Sequence, residues 1–497
     1  MHVWKAHDGQ VSLLQITDGG CMEVLRDYLD VFQEFISNTA ANYWNVYTIT
    51  LLLGTGFLLT GATKVIQIRK FMLGLKFTVL GAMHKDDSAK DTGDITPFQA
   101  LMTSLSSTVG NGNIAGVATA LVSGGPGAIF WMWMTAIVGM ATKYSEAVLA
   151  VKFRKTAEDG SMSGGPMYYI RKGFEGRPIL GRIAIPLAGL FAFFGAWTAL
   201  FGTGNMMQAN SMALAMNEQF TVPFWITGVI ITVLVALVII GGIKRIGRTA
   251  EILVPAMILL YFTGAAIILL LNFTQIPAAI ALIFKNAFST DAATGGIAGY
   301  AVKMAVQFGV RRGLLSNESG LGSTPIAHAA SKAKNPVRQG MIAMFDTFID
   351  TIVVCSITAI TILVSGAYSF ESVAAGTQAT STALTTQAFQ MGLHENGGVI
   401  VAICSTLFGY STLIGWYYYG ERCFEYLFGL NTIMYYKIIY VALTLFGAML
   451  GRKNLQIVWD LGDLSNGFMA VPNLIGLIFL SGIVYRITEE YVKEDKI

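Results

Sequence analysis

What most constrains this chain is a series of long apolar runs, each near the roughly 20 residues an α-helix needs to cross a bilayer. They fall at Trp44–Ala62, Pro97–Val122, Ala128–Val151, Ile183–Ala213, Phe224–Gly241, Ile252–Leu271, Ile297–Ala330, Met341–Val364, Gly398–Phe424, Thr432–Leu450 and Leu455–Tyr485. Lipid offers the backbone no hydrogen bonds, so such runs must satisfy themselves as helices. The expected fold is therefore an all-α membrane protein with eleven transmembrane helices. Composition agrees, because 54% of the 497 residues are hydrophobic and only 13% charged, too few charges to wet a globular surface of this size. The net charge of +3 implies no polyanionic partner, and a nucleic-acid binder, a disordered chain and a secreted disulfide scaffold are excluded. The cysteines (Cys21, Cys355, Cys404, Cys423) lack metal or redox spacing.

Orientation follows from Lys and Arg in the short loops. With the segment after the first run cytoplasmic, that side collects Lys64, Arg69, Lys70, Lys76, Lys152, Arg154, Lys155, Arg171, Lys172, Lys244, Arg245, Arg248, Lys332, Lys334, Arg338, Arg422, Arg486 and others. The opposite side holds only Lys5, Arg26, Lys285, Arg452 and Lys453. The reading places the N-terminus outside and the C-terminus inside the cell membrane. No cleavable signal pattern precedes the first run. Within residues 1–43, Val24, Leu25, Tyr28, Leu29, Phe32, Phe35 and Ile36 recur at helical spacing opposite acidic residues. That pattern suits an interfacial helix, or equally a short helix packed on the loops.

Two runs are interrupted. The second contains Ser106-Ser107-Thr108-Val109-Gly110-Asn111-Gly112-Asn113, and the seventh contains Gly313-Leu314-Leu315-Ser316-Asn317-Glu318-Ser319-Gly320-Leu321-Gly322. Glycine-interrupted spans in corresponding positions of two halves point to an inverted-repeat transporter with its site at the breaks. Two kinked helices packed through small residues are the plainer alternative. Other signals are weaker. Gly242–Thr249 resembles a phosphate loop but joins two membrane runs and has Arg248 where the lysine belongs. Asp346 and Asp350 share one helix, with Asp463 elsewhere, and lack the converging geometry of an aspartyl hydrolase. No channel filter motif is present.

Longer motifs resemble a known family. Gly124-Gly125-Pro126-Gly127-Ala128-Ile129-Phe130-Trp131-Met132-Trp133 is similar to the signature of the alanine/glycine:cation (sodium:alanine) symporters. Phe98–Met102, Gly110–Gly116, Lys143–Ala147, Gly164–Tyr168, Ser316–Gly322 and Tyr418–Glu421 also resemble that family. The resemblance covers residues 44–486 and implies a LeuT-type fold, one extra helix before a five-plus-five inverted repeat. Its parts would be residues 44–96 (extra helix and linker), 97–272 and 273–486 (the repeats) and 487–497 (a cytoplasmic tail). It implies sodium-coupled uptake of small neutral amino acids: alanine, glycine, possible D-alanine. Proton coupling is the first alternative, a membrane-embedded hydrolase the second. No enzyme activity and no cofactor beyond the coupling ion are expected.

A zwitterion stripped of water needs donors for its carboxylate and acceptors for its ammonium. Backbone N–H groups at Gly112 and Asn113, beside Thr108 and Asn111, suit the former, and carbonyls at Leu315, Ser316 and Asn317 the latter. By similarity to the Val-Gly-Leu-Gly-Asn break of LeuT, the Asn113 side chain would touch a cation. The same match puts the Ser106 and Val109 carbonyls at a second cation site, with Ser411 and Thr412 opposite. Sodium favours such hard oxygens. Gln208 is expected near the substrate's polar ends, with Trp416 and Leu315 limiting its size.

Overall fold

The computed structural model describes residues 2–7, 10–15, 31, 33–40, 42–44, 46–83, 92–288, 297–451 and 455–494. Its principal helices are α1 (Val46–Ala62), α2 (Pro97–Thr108), α3 (Val117–Gly124), α4 (Gly127–Phe153), α5 (Leu180–Phe201), α6 (Met206–Phe220), α7 (Phe224–Ile239) and α8 (Gly242–Leu271). They continue with α9 (Ile297–Asn317), α10 (Pro325–Ala329), α11 (Pro336–Thr347), α12 (Ser356–Val364), α13 (Glu395–Phe428), α14 (Ile433–Met449) and α15 (Leu455–Glu494). Every apolar run of the sequence falls on one or two of these helices. Among the described residues, six helical stretches are long and apolar enough to cross a membrane. They are Leu180–Phe220, Gly242–Leu271, Pro336–Val364, Glu395–Phe428, Leu430–Met449 and Trp459–Glu494.

Burial separates lipid-facing from protein-facing surfaces. On α7, Trp225, Ile230, Val233 and Leu237 are exposed, while Ile231, Val235 and Ile239 on the opposite face are buried. A soluble protein rarely exposes so continuous an apolar face. Inside, α4 packs along α9 and α11, and α13 packs against α2, α5, α6 and α8. The interrupted spans α2–α3 and α9–α10 are thereby enclosed by protein.

Local sequence explains where these spans start and break. Thr96 caps α2 by accepting from the Gln99 backbone N–H, and the Gln99 side chain accepts from Thr96 N–H. Pro97 follows at the first helical position. After Thr108 the chain turns extended at Val109 and resumes as a wide π-turn over Gly112–Gly116. The seventh span breaks later than its glycines suggest. α9 runs through Gly313 to Asn317, and the chain leaves the helix where Glu318, Gly320 and Gly322 take positive φ values of 55°, 87° and 83°. Gly313 serves packing instead, since a Cβ there would collide with the Thr135 side chain on α4.

Two small hairpins stand outside the all-helical expectation. β1 (His2–His7) pairs antiparallel with β2 (Gln10–Gln15), and β3 (Lys155–Thr156) with β4 (Met162–Ser163). The amphipathic stretch at 24–36 falls largely outside the described residues. The helical part at 33–40 rests on protein: Ile36 and Ala40 are buried and Ser37 donates to Asp460 at 2.5 Å.

Candidate functional site

A small cavity of about 50 Å³ lies between the two breaks. Thr108, Gly112, Gln208, Leu315, Ser316 and Trp416, expected at the substrate, and Thr412, expected at a cation, all line it. Thr203, Glu318, Arg312 and Asp463 complete much of the wall. Trp416 is buried and donates its indole N–H to Glu318 Oε1 at 3.0 Å, tying α13 to the second break. Gln208 accepts from Asn111 Nδ2 at 3.1 Å and donates to the Thr203 carbonyl at 3.2 Å. Asn111 in turn accepts from Ser405 at 2.6 Å.

The remaining expected residues sit just behind this wall. Asn113 accepts from the Gly110 N–H at 2.9 Å, and its own N–H meets the Gly110 carbonyl at 3.1 Å. Its side-chain amide donates to Asp350 Oδ1 at 2.6 Å and toward Cys355 Sγ at 3.3 Å. Ser316 donates to Asp350 Oδ2 at 2.9 Å and Asn317 donates to Thr351 at 3.2 Å. Ser411 and Thr412 both donate to the Phe408 carbonyl of their own helix, at 2.8 and 2.9 Å. Their donors are thus occupied while oxygen lone pairs stay available. Ser106 and Val109 are fully buried, and the Ser106 hydroxyl donates to the Thr103 carbonyl.

Sequence reasoning missed the charged framework around the breaks. Lys143 on α4 lies fully buried and donates to Asp346 Oδ2 at 2.9 Å and to Thr324 at 2.7 Å. Asp346 on α11 also accepts from Ser104 and Thr108 of α2, at 2.5 and 2.7 Å. This one ion pair joins the first interrupted span, the end of the second break, α4 and α11. Glu146, three residues after Lys143, accepts from Asn473 of α15 at 2.6 Å. Ionisable residues inside apolar helices are costly and mark functional positions by default. That signal was available at Lys143, Asp346, Asp350 and Glu318.

Ion pairs lie on both sides of the cavity. Arg311 donates to Asp463 Oδ2 at 2.7 Å, and Asp463 itself lines the cavity. In the other direction along α13, Arg422 pairs with Glu421 and Glu425, each at 2.7 Å. Arg422 and Glu425 also hold Ser163 of the β3–β4 hairpin, both at 3.0 Å. In the turn of that hairpin, hydrogen bonds from Ser161 hold the Asp159 carboxyl below the usual carboxylate range.

Buried ionisable groups around a small cavity between interrupted helices suit a multi-pass membrane transporter. Comparison with known proteins agrees. Residues 29–497 match the sodium:alanine symporter family, and the chain belongs to it. It is 46% identical over 461 residues to the sodium/alanine symporter AgcS of Methanococcus maripaludis, covering 92% of this chain and 97% of that one. It is 34% identical to the amino-acid carrier protein AlsT of Bacillus subtilis, covering 94% of each. Among solved structures, a manganese transporter of Eremococcus coleocola matches with a TM-score of 0.50 at 13% identity. That match covers 80% of this chain and 89% of the other, a likeness of fold alone.

Proposed function

We propose that this protein takes up small neutral amino acids, alanine foremost with glycine and D-alanine, by sodium-coupled symport. The cavity shared by the two breaks carries the reading, because it is small, polar at the breaks and walled by Trp416 and Leu315. The interrupted spans act as paired half-helices in a ten-helix LeuT-type core, the extra helix bringing the spans to eleven. In that scheme residues 97–272 and 273–486 are the inverted repeats, preceded by the extra helix within 44–96 and the outer segment 1–43. Residues 487–497 form the inner tail, with the N-terminus outside. Arg311–Asp463 then belongs to the outer gate, and Arg422 with the β3–β4 hairpin to the inner one. Alternating access breaks one cluster while the other holds.

The test is uptake of labelled alanine into proteoliposomes under an inward sodium gradient, with choline replacing sodium in the control. Uptake driven only by sodium supports the proposal. Buried carboxylates without a protein cation, Asp350 among them, favour proton coupling as the second reading. Uptake driven equally well by an inward proton gradient in choline would select it.

A further inference from the structure

Asp350 sits on α11–α12's shared π-turn (Phe348–Cys355), which packs directly against the π-turn of the first break (Gly112–Gly116). π-turns interrupt regular helices mostly at functional positions. The carboxylate is fully buried, and among the described residues no Lys, Arg or His pairs with it. Its side-chain hydrogen-bond partners are all short polar groups. Asn113 Nδ2 lies 2.6 Å from Oδ1, while Ser316 Oγ and Thr351 Oγ1 lie 2.9 and 2.7 Å from Oδ2. A lone buried carboxylate is costly unless a cation joins it or it is neutralised. Asp346, one turn earlier on the same span, has Lys143 for that purpose.

We propose that Asp350 is the charged ligand of the coupling sodium, with Ser316 Oγ and Thr351 Oγ1 as its neutral oxygen partners. This deepens the symport reading above and rests on it. The oxygens are hard donors of the kind sodium selects. Both hydroxyls can rotate their hydrogens away and present lone pairs when the ion enters. Asn113 has a different part from the one its motif suggests. Its oxygen is engaged by Gly110 N–H, and its nitrogen holds the carboxylate, so it positions Asp350 rather than touching the ion. Coupling follows from Ser316, which both lines the cavity and bonds Asp350. An ion at Asp350 fixes the end of α9 and with it one wall of the substrate cavity.

The test compares wild type with Asp350→Asn, Asp350→Glu and Thr351→Ala in proteoliposomes, measuring alanine uptake against external sodium at constant pH. Sodium-induced thermal stabilisation of each purified protein, without alanine, gives a binding readout apart from transport. Asp350→Asn should raise the half-saturating sodium concentration at least about tenfold, the lower end of what even indirect partners cost a metal site. It should also abolish the sodium-induced stabilisation, and Asp350→Glu should restore part of both. Thr351→Ala keeps the charge and should shift half-saturation about threefold or more, about 0.65 kcal/mol at 1.36 kcal/mol per tenfold. If Asp350→Asn is not recovered folded, Thr351→Ala decides, and wild-type sodium activation in it overturns the proposal. Wild-type activation in a folded Asp350→Asn overturns it likewise, while sodium-driven uptake by the parent leaves the symport reading intact. A parent with no sodium stimulation overturns both. A proton-driven parent whose pH dependence disappears in Asp350→Asn overturns the sodium assignment.

Discussion

Replacing Lys143 with Met leaves Asp346 as a buried carboxylate with no cation against it. Both side chains are completely inaccessible and their charged atoms stand 2.9 Å apart. Removing one partner of such a pair costs roughly 3–5 kcal/mol, because the survivor keeps its desolvation penalty. Ser104 and Thr108 still donate to Asp346, which places Lys143→Met near the lower end, about 3 kcal/mol. Asp346→Asn leaves Lys143 with Thr324 as its hydrogen-bond partner, although the Glu146 and Glu318 carboxylates also act on it, and should cost a similar amount. The double variant, with neither charge, should cost no more than either single variant, about 3 kcal/mol, which gives a coupling of about 3 kcal/mol in a double-mutant cycle. Reversible unfolding in mixed detergent–dodecyl sulfate micelles, followed by circular dichroism, supplies the four free energies. Single variants each losing less than about 1 kcal/mol, the scale of an exposed pair, would mean that the two charges are not held desolvated against each other. Strict additivity would mean the same.

Further substitutions address the cavity and its closure. Trp416→Phe keeps the aromatic wall but loses the bond to Glu318, and should weaken alanine binding by about 1.5 kcal/mol or more, roughly tenfold, in a competition assay. Trp416→Ala should in addition let valine and leucine inhibit alanine uptake, and unchanged selectivity would place the size filter elsewhere. Thr412→Val should weaken alanine binding more than Ser411→Ala, because Thr412 lines the cavity and Ser411 does not; equal effects would count against it. Arg311→Ala removes the partner of Asp463 and should speed labelling of a T203C variant by an impermeant thiol reagent, above the background of the native cysteines. Unchanged labelling would mean that this pair does not close the outer path.

Much of this architecture is legible in the sequence because bilayer thickness fixes helix length, so apolar runs such as Phe224–Gly241 translate directly into α7. The breaks are legible for the related reason that Gly112, Asn113 and Ser316 are poor tenants of lipid. What stays hidden depends on contacts distant in sequence. Lys143 and Asp346 look like isolated motif residues until folding brings α4 and α11 together. Gly313 reads as a helix breaker, yet close packing on Thr135 explains it, and the positive φ of Glu318 carries no glycine to announce it. The roles of Ser411 and Asn113 turn on which hydrogen-bond partner wins, which no spacing reveals. The hairpin β1–β2 had a local signal, Asp8-Gly9 between two short strands, overlooked beside the apolar runs.

In the proposed symport, substrate and sodium meet at the two breaks and stabilise each other there. Isothermal titration of alanine into the purified protein, in sodium and in choline at equal ionic strength, tests this most directly. Linkage requires that sodium tighten alanine binding by the factor that alanine tightens sodium binding, typically about 5- to 150-fold. The dissociation constant should fall as sodium rises, and the gain should shrink sharply in Asn113→Ala, where Asp350 loses its amide anchor. Alanine binding equally tight in choline and in sodium would contradict this coupling.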